Sequence, residues 1–533
     1  MMPASEPLLT DRSRLLSALS EPMRYDLAVI GGGASGLGVA LDAVLRGLSV
    51  VLLESHDFAK GTSSRATKLV HGGVRYLAQG NVSLVREALR ERTVLLHNAP
   101  HLARPLPFVM PCYSYWEMPF YGSGLKLYDL LAGKAGLGNT EMLGVAGTER
   151  CLPGVRTRGL KGGVKYWDGQ FDDARLALTL ARTAAARGAL LVNYCAVTGL
   201  VHEQGRIAGL RAKDAETGAE FQISARCVVN AAGVWVDEIR QQDGQAMHRA
   251  AKPMVAPSQG VHLVVDRDFL RGNHALLVPK TRDGRVLFAV PWLGKVVLGT
   301  TDTPRHDLSR EPDAFANEVD FILGEAGNYL SRRPTRDDVR SVWVGLRPLV
   351  RPPDDEGDNT KKISREHTVL VSPSGLVTVT GGKWTTYRAM AEDVLAKCVE
   401  AGLFSSLPPS VTATCVLAGA VAGATYRATL TETPGAEAYG EDAQWLRGLD
   451  GHDVTLADGL TESMVRFAAR YEYARSVEDM LARRYRLLFL DARLAAHVAP
   501  RVAELLREEL GVDPRLDDFL RLADHYLRLP AGS

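Results

Sequence analysis

The chain has 533 residues, 46% hydrophobic and 23% charged, with a net charge of +1 at neutral pH. That length holds two or three domains and a large core, and the balance excludes a disordered or fibrous chain. The near-zero charge gives no support to a nucleic-acid partner, so any anion site has to be local.

Residues 1–24 contain Glu6, Asp11 and Glu21 and no apolar h-region, which argues against a secretory signal. No run of about 18 uncharged apolar residues occurs, so no spanning helix is expected. The six cysteines, Cys112, Cys151, Cys195, Cys227, Cys398 and Cys415, form no C-x-x-C pair and lie near no histidine cluster. The expectation is reduced, buried thiols, with neither a metal nor a disulfide.

In chain order, the first strong signal covers residues 25–54. Leu27 to Ile30 is an apolar run that stops at glycine, as a buried parallel strand does. Gly31, Gly33 and Gly36 have G-x-G-x-x-G spacing. Ala34 to Arg46 is a predicted helix closed by Gly47, and Leu48 to Leu53 a second strand ending at the acid Glu54. Gly31 permits the turn, Gly33 lets backbone approach a pyrophosphate, and Gly36 lets the helix pack on the strand. The helix start supplies free N–H groups, and Glu54 is placed to accept from ribose hydroxyls. The motif points to a dinucleotide without choosing between FAD and NAD.

Residues 61–76 then bring Thr62, Ser63 and Ser64, followed by Lys68, His71, Gly72-Gly73, Arg75 and Tyr76. Small hydroxyl groups and bare backbone suit a loop wrapped around a polar ligand, with a plain surface loop as the alternative. Ser83 to Asn98 is an amphipathic scaffold helix. Residues 105–135 cluster Phe108, Tyr113, Tyr115, Trp116, Phe120, Tyr121 and Tyr128 with Lys126 and Lys134, either a membrane-interface surface or a packed aromatic wall.

A helix is predicted over Asp172 to Arg187, then strands over Leu190 to Val201 and Phe221 to Val229, with Asn230-Ala231-Ala232-Gly233 giving an ending that suits a sheet passing under a nucleotide. Residues 255–303 alternate strongly and predict four strands of an antiparallel, substrate-covering sheet: Val261 to Val265, Ala275 to Pro279, Arg285 to Pro291 and Lys295 to Leu298. Strands follow at Val342 to Val344, Thr368 to Val371 and Leu376 to Thr380. The last runs into Gly381-Gly382-Lys383-Trp384-Thr385 and a helix. This second strand–glycine–helix unit implies a discontinuous nucleotide domain. A small-residue linker spans 405–424. Helices are then predicted over Glu441 to Leu449, Thr461 to Tyr473, Val477 to Phe489, Leu494 to Leu510 and Arg515 to Leu527. Glu472, Arg475, Arg483, Arg484 and Arg486 are assigned to a solvated or inter-domain ion-pair face.

Arg75, Arg347, Arg365 and Lys383 lie in or beside predicted loops, as cations that hold a phosphate monoester would, with a structural salt bridge as the competing reading for Arg347. His71 and His262 can take a proton, though each is equally well read as a structural imidazole.

The set Thr62-Ser63-Ser64, Lys68 to Tyr76, Phe171 to Leu176, Gly299 to Asp302, Gly345 to Leu349 and Gly381 to Arg388 closely resembles the FAD-dependent, quinone-linked glycerol-3-phosphate dehydrogenases. The tail around Val477 to Arg484 is also similar to that family. The resemblance implies an α/β fold: a FAD-binding, Rossmann-like domain of the D-amino-acid-oxidase type, an antiparallel-sheet substrate domain and a helical C-terminal domain. It implies an extension over 1–24, a FAD-binding domain over 25–404 with substrate parts at roughly 100–165 and 250–350, and the C-terminal domain over 405–533. The implied reaction oxidises sn-glycerol 3-phosphate to dihydroxyacetone phosphate, passing electrons to quinone. The implied protein is cytoplasmic, held peripherally on the inner face of the cell membrane, and a possible homodimer.

On the same resemblance, the expected cofactor contacts are Gly31, Gly33, Ala34, Ser35, Gly36, Glu54, Thr62, Ser63, Ser64, Lys68, His71, Gly73, Val197, Gly233, Gly382, Lys383, Trp384 and Thr385. Arg75, Tyr76 and Arg365 would hold the substrate phosphate, and Arg347 would polarise the C2 oxygen. Lys383 would stabilise negative charge on the reduced flavin. His262 is the first choice as base and His71 the second. Trp384, Gln259 and Tyr485 depart from the family pattern, which commonly has Leu, a basic residue and a small hydroxyl residue there. The alternatives are a glycerol-3-phosphate oxidase that reduces oxygen, an amine or amino-acid oxidase of the same fold, and a non-catalytic flavoprotein.

Overall fold

The computed structural model describes residues 6–77, 81–282, 284–351, 366–421, 423–424 and 429–532. Arg365 and the side chains of Arg75 and Tyr76 lie outside the described residues.

Strand β1 (Arg24–Ile30), helix α1 (Ala34–Leu45) and strand β2 (Val50–Leu53) form the first unit. β1 lies at the centre of a sheet, parallel to β2 on one side and to β3 (Glu220–Asn230) on the other. Leu190–Val192 continues the parallel set beyond β2. Leu27, Ala28 and Val29 are fully buried, as strands of a parallel sheet covered on both faces are. The predicted strand from Leu190 to Val201 is two strands, Leu190–Val192 and Cys195–Glu203. Tyr194 takes φ 52° between them and turns the chain, its backbone N–H donating to the His56 carbonyl at 2.8 Å.

A second sheet of ten strands carries the wall opposite the nucleotide unit. Its long strand β4 (Val255–Asp266) pairs antiparallel with β5 (Ser341–Val350) and with Lys295–Gly299. Among the described residues the sheet is antiparallel apart from one parallel pairing, Ala275 with Phe108 and Leu276 with Val109. Leu69–Val70 joins its edge against Gly162–Phe171, so the chain crosses between the sheets directly after the hydroxyl-rich loop. Strand β6 (Val377–Gly381) returns to the first sheet, parallel to β3, and leads into helix α3 (Tyr387–Glu400), which packs on α1.

In the C-terminal region Glu462–Tyr471, Ala492–Leu510 and Leu516–Leu527 are regular helices. The other two predicted helices are broken. Ala436–Asp442 is a 3₁₀ segment before the single turn Ala443–Leu446. Asp479–Arg484 is a wide π turn, followed by Arg486 at φ 70° and then Leu487–Leu490. The reason is electrostatic. Arg483 and Arg484 both pair with Asp57 at the start of the hydroxyl-rich segment, and Arg483 also pairs with Glu478 and Asp479. Arg486 donates to the Ser64 carbonyl at 2.6 Å and lies 3.2 Å from Asp173. All three arginines are buried, so this face is inter-domain and not solvated. Removing one partner from such a buried pair costs about 3–5 kcal/mol, because a charge is stranded. Among the described residues, no helix is long and apolar enough to cross a membrane.

Candidate active site

A cavity of about 920 Å³ runs between the two sheets, from the end of β1 to the cluster of His262, Arg347 and Lys383. At the nucleotide end, Gly31 adopts φ 107°, and a Cβ there would stand 2.7 Å from the Ala231 carbonyl. A Cβ on Gly36 would stand 2.0 Å from the Gly31 carbonyl, so this glycine sets helix packing and does not itself line the cavity. Gly33 caps α1, whose first residues, Ala34 and Ser35, face the cavity. Ser63 reaches in from the next loop, its Oγ accepting from the Ala34 N–H at 2.9 Å. The Glu54 carboxylate accepts from the backbone N–H of Gly32 at 2.7 Å and of His56 at 2.9 Å, which fixes it at the end of β2. Val197 and Gly233 complete this end.

At the far end two distant motifs are tied together. Trp384 donates its indole N–H to the Ser63 carbonyl at 2.8 Å, a bond that a leucine could not make. Gly381 and Gly382, at φ 82° and 73°, turn β6 toward the cavity and present Lys383 and Thr385 on its wall. The His71 N–H donates to Thr385 Oγ1 at 3.3 Å. Gly72 is pressed under Tyr128, where a Cβ would come within 2.3 Å of the hydroxyl. Its N–H donates to that hydroxyl at 2.9 Å, and Tyr128 in turn donates to Asp168, which pairs with Arg92.

Arg347 arrives from β5 and is held by the segment after Lys295–Gly299. Its guanidinium donates to the Gln259 carbonyl at 3.1 Å, Thr300 Oγ1 at 3.2 Å and the Thr301 carbonyl at 2.9 Å, and lies 3.4 Å from Asp302. Gly260 makes room: a Cβ there would be 2.2 Å from the guanidinium. His262 is only 2% exposed, stacks on Trp343 at 4.1 Å between ring centroids, and places Nε2 3.0 Å from Thr67 Oγ1. Burial first, then the charges of Lys68 and Arg347, hold its pKa well below the ordinary imidazole value.

Of the residues singled out by sequence, Gly31, Gly33, Ala34, Ser35, Glu54, Thr62, Ser63, His71, Val197, Gly233, His262, Arg347, Gly382, Lys383, Trp384 and Thr385 line this one cavity. Ser64, Lys68 and Gly73 are off its wall, as is Gly36. Lys68 takes φ 67° and turns inward, where it pairs with Asp173 at 2.7 Å and sits over Trp343 at 4.6 Å. Burial and the Arg486 charge lower its pKa to about 7, against the pull of Asp173. Ser64 is buried with it and offers its carbonyl to Lys68 and Arg486. Gln259, also buried, donates to Glu318 and accepts from Arg305; it braces the wall from behind.

The cavity also recruits residues assigned no site role from sequence: Asp168, Trp235, Arg285 and Arg310; from the aromatic 105–135 segment it takes in Phe120, Tyr121 and Leu127 of helix α2 (Glu117–Ala132). No local pattern marks Arg285 or Arg310, since each belongs to the wall only through tertiary contact.

The nucleotide end fits FAD. A helix start, a bare glycine backbone and a fixed carboxylate are the donor and acceptor set for pyrophosphate and ribose. A family model described as FAD dependent oxidoreductase matches residues 26–392, and another, described as the C-terminal domain of alpha-glycerophosphate oxidase, matches residues 410–516. Fold and site thus define a FAD-dependent oxidoreductase of the D-amino-acid-oxidase type. The chain is 39% identical over 568 residues to the mitochondrial glycerol-3-phosphate dehydrogenase of Rattus norvegicus, covering 99% of this chain and 77% of the relative. It is 40% identical over 548 residues to the mitochondrial enzyme of Arabidopsis thaliana, covering 95% and 86%. The crystal structure of the glycerol-3-phosphate dehydrogenase from Bacillus halodurans complexed with FAD matches with a TM-score of 0.76 at 30% identity, covering 97% of this chain and 98% of that one. This chain belongs to the FAD-dependent glycerol-3-phosphate dehydrogenase family.

Proposed function

We propose that the chain oxidises sn-glycerol 3-phosphate to dihydroxyacetone phosphate in this cavity and delivers the electrons to a membrane quinone. The observation that supports this reading is that His71, His262, Arg347 and Lys383, from four separate segments, all line the one cavity that would hold FAD. Bound FAD supplies the acceptor for the hydride that leaves C2 of the substrate.

Arg347 is braced by four oxygens and offers a fixed positive charge to the C2 oxygen, which gathers negative charge as its proton leaves. We rank the two histidines in the order opposite to the sequence expectation, on their surroundings. His262 is a weak base, because burial and two nearby cations disfavour its protonation. It holds Thr67 and closes the floor. His71 is half-buried on the cavity wall and is the better acceptor for the hydroxyl proton. Lys383 offsets negative charge gathering at the far end of the cavity. Arg75, Tyr76 and Arg365 keep the phosphate-binding role that the resemblance gives them, and Arg285 adds a cation to the described wall.

The membrane reading rests on α2 and the residues before it. Tyr115, Trp116, Phe120, Leu127 and Leu130 are all exposed, Trp116 at 60% and Leu130 at 75%. Phe120 and Leu127 also line the cavity, so the apolar outer face and the FAD chamber share a border. Such a belt of aromatics suits a bilayer interface, and an apolar quinone would travel along it.

The test is the visible spectrum of the purified protein. Anaerobic sn-glycerol 3-phosphate bleaches the flavin, and a quinone restores it. A flavin that ignores the phosphate ester removes the substrate assignment. Rapid recovery by air with release of hydrogen peroxide removes the quinone assignment, and full activity without lipid association removes the membrane claim.

A further inference from the structure

Between Thr303–Pro304 and the helix Ala316–Tyr329 the chain runs through residues 305–315 with no helix or strand. This segment forms a strap with an anchor near each end. Arg305 is buried and donates to the Asp313 carbonyl at 2.7 Å and to Gln259. Glu311 pairs with Lys60 at 2.7 Å and Arg65 at 2.6 Å, and accepts from the Tyr526 hydroxyl at 3.1 Å. One carboxylate thereby joins the strap, the nucleotide-side loop and the last helix of the chain.

Between the anchors the strap crosses Trp235, which stands just after the small-residue ending of β3. The indole N–H donates to the Leu308 carbonyl at 3.1 Å. The Arg310 guanidinium lies 3.6 Å from the centre of the indole ring. Arg310 has no ion pair among the described residues, whereas neighbouring Glu311 has two. Arg310, Trp235, Glu54 and His56 line the same end of the cavity. The charges of Glu54 and Glu238 act on Arg310, and the charge of Arg310 acts on His56, so these groups are electrostatic neighbours.

We propose that Arg310, laid on Trp235 by the 305–315 strap, is the outer jaw of the adenosine subsite, facing the adenine–ribose half of bound FAD opposite Glu54 and slowing its release. A guanidinium is planar and weakly hydrated, so it stacks on an aromatic ring at little desolvation cost and keeps its other face for a ligand. Glu54 offers the adenosine half a polar contact on one side. The arginine on its indole platform gives the opposite side a cover that excludes water. The anchors limit how far that cover can swing.

The test uses the FAD-loaded enzyme, diluted into flavin-free buffer, with the rise of free-flavin fluorescence giving the release rate and circular dichroism confirming the fold. Arg310→Ala should release flavin about tenfold faster, as should Trp235→Leu, in line with a partly desolvated cation–π stack. The double variant should release flavin no faster than about either single one, because both remove the same jaw. Release from Arg310→Ala within twofold of the parent overturns the proposal. So does a double variant whose acceleration is the product of the two singles, since the residues would then act apart. Should Arg310→Ala lose its fold, Arg310→Gln carries the same comparison.

Discussion

At one end of the cavity, Gly31, Gly33 and Glu54 come from two dozen consecutive positions, and their geometry is set by backbone hydrogen bonds inside a single β–α–β unit. At the other end, His71, His262, Arg347 and Lys383 are spread from position 71 to position 383 and meet only because two sheets face each other. The first end is held by shape: glycine hydrogens, a helix start and a carboxylate fixed by two backbone N–H groups. The second is held by charge and burial: Arg347, His262 and His71 are each braced by a neighbour that lines the same cavity, Thr300 and Thr301, Thr67, and Thr385 in turn. A local motif tolerates little change of volume. A convergent site tolerates volume better than it tolerates a change of charge.

The comparison is broken or sharpened most strongly at Gly36. A methyl group there would sit 2.0 Å from a backbone carbonyl that cannot move without shifting β1, so Gly36→Ala should abolish flavin retention, read as colourless protein after purification. If yellow protein is recovered, shape is not what holds that end. Arg347→Ala should leave flavin bound and slow its anaerobic reduction by glycerol 3-phosphate about 10²–10³-fold, the usual size for losing one preorganised charge. A loss of only a few-fold removes Arg347 from the chemistry. His71→Asn should slow the same step about 10²-fold, the lower part of the range for a lost general base, while His262→Asn should cost less than about tenfold. The opposite ranking restores His262 as base.

The smallest effect is on stability against pH. His262 is held neutral in the fold but takes a proton near its ordinary value of about 6.5 once unfolded. Below that pH the unfolded chain binds the extra proton, so stability falls as pH falls, by up to about 1.4 kcal/mol per pH unit from this group. Denaturant titrations at pH 7 and pH 5 should show a shallower fall for His262→Gln than for the parent. An unchanged slope would mean that the imidazole is already charged in the fold.

The nucleotide end was legible because its parts are close in sequence and each has a periodic signature. The second strand–glycine–helix unit at Gly381 and Gly382 was legible for the same reason. The side chains proposed for the chemistry were visible as basic and imidazole types, but their surroundings were not. Nothing near Lys68 announces that φ 67° will turn it behind the wall, and nothing near His262 announces Trp343 stacked beneath it. The helix pattern over Val477 to Phe489 was overridden by Asp57, more than 400 positions earlier, whose carboxylate pulls two adjacent arginines into one buried cluster. Arg310 was illegible because an irregular strap has no period, and its partner Trp235 is brought to it only by the finished fold.

The reach of Arg486 to the Ser64 carbonyl has a consequence for biosynthesis. The loop beneath the chamber is completed by a side chain 422 positions further along, so all of that chain has to be made before the loop takes its final bonds. A copy shortened to end before Arg486 leaves the Ser64 carbonyl and Asp173 without that partner, so it should retain flavin less well, read as loss of yellow colour on purification.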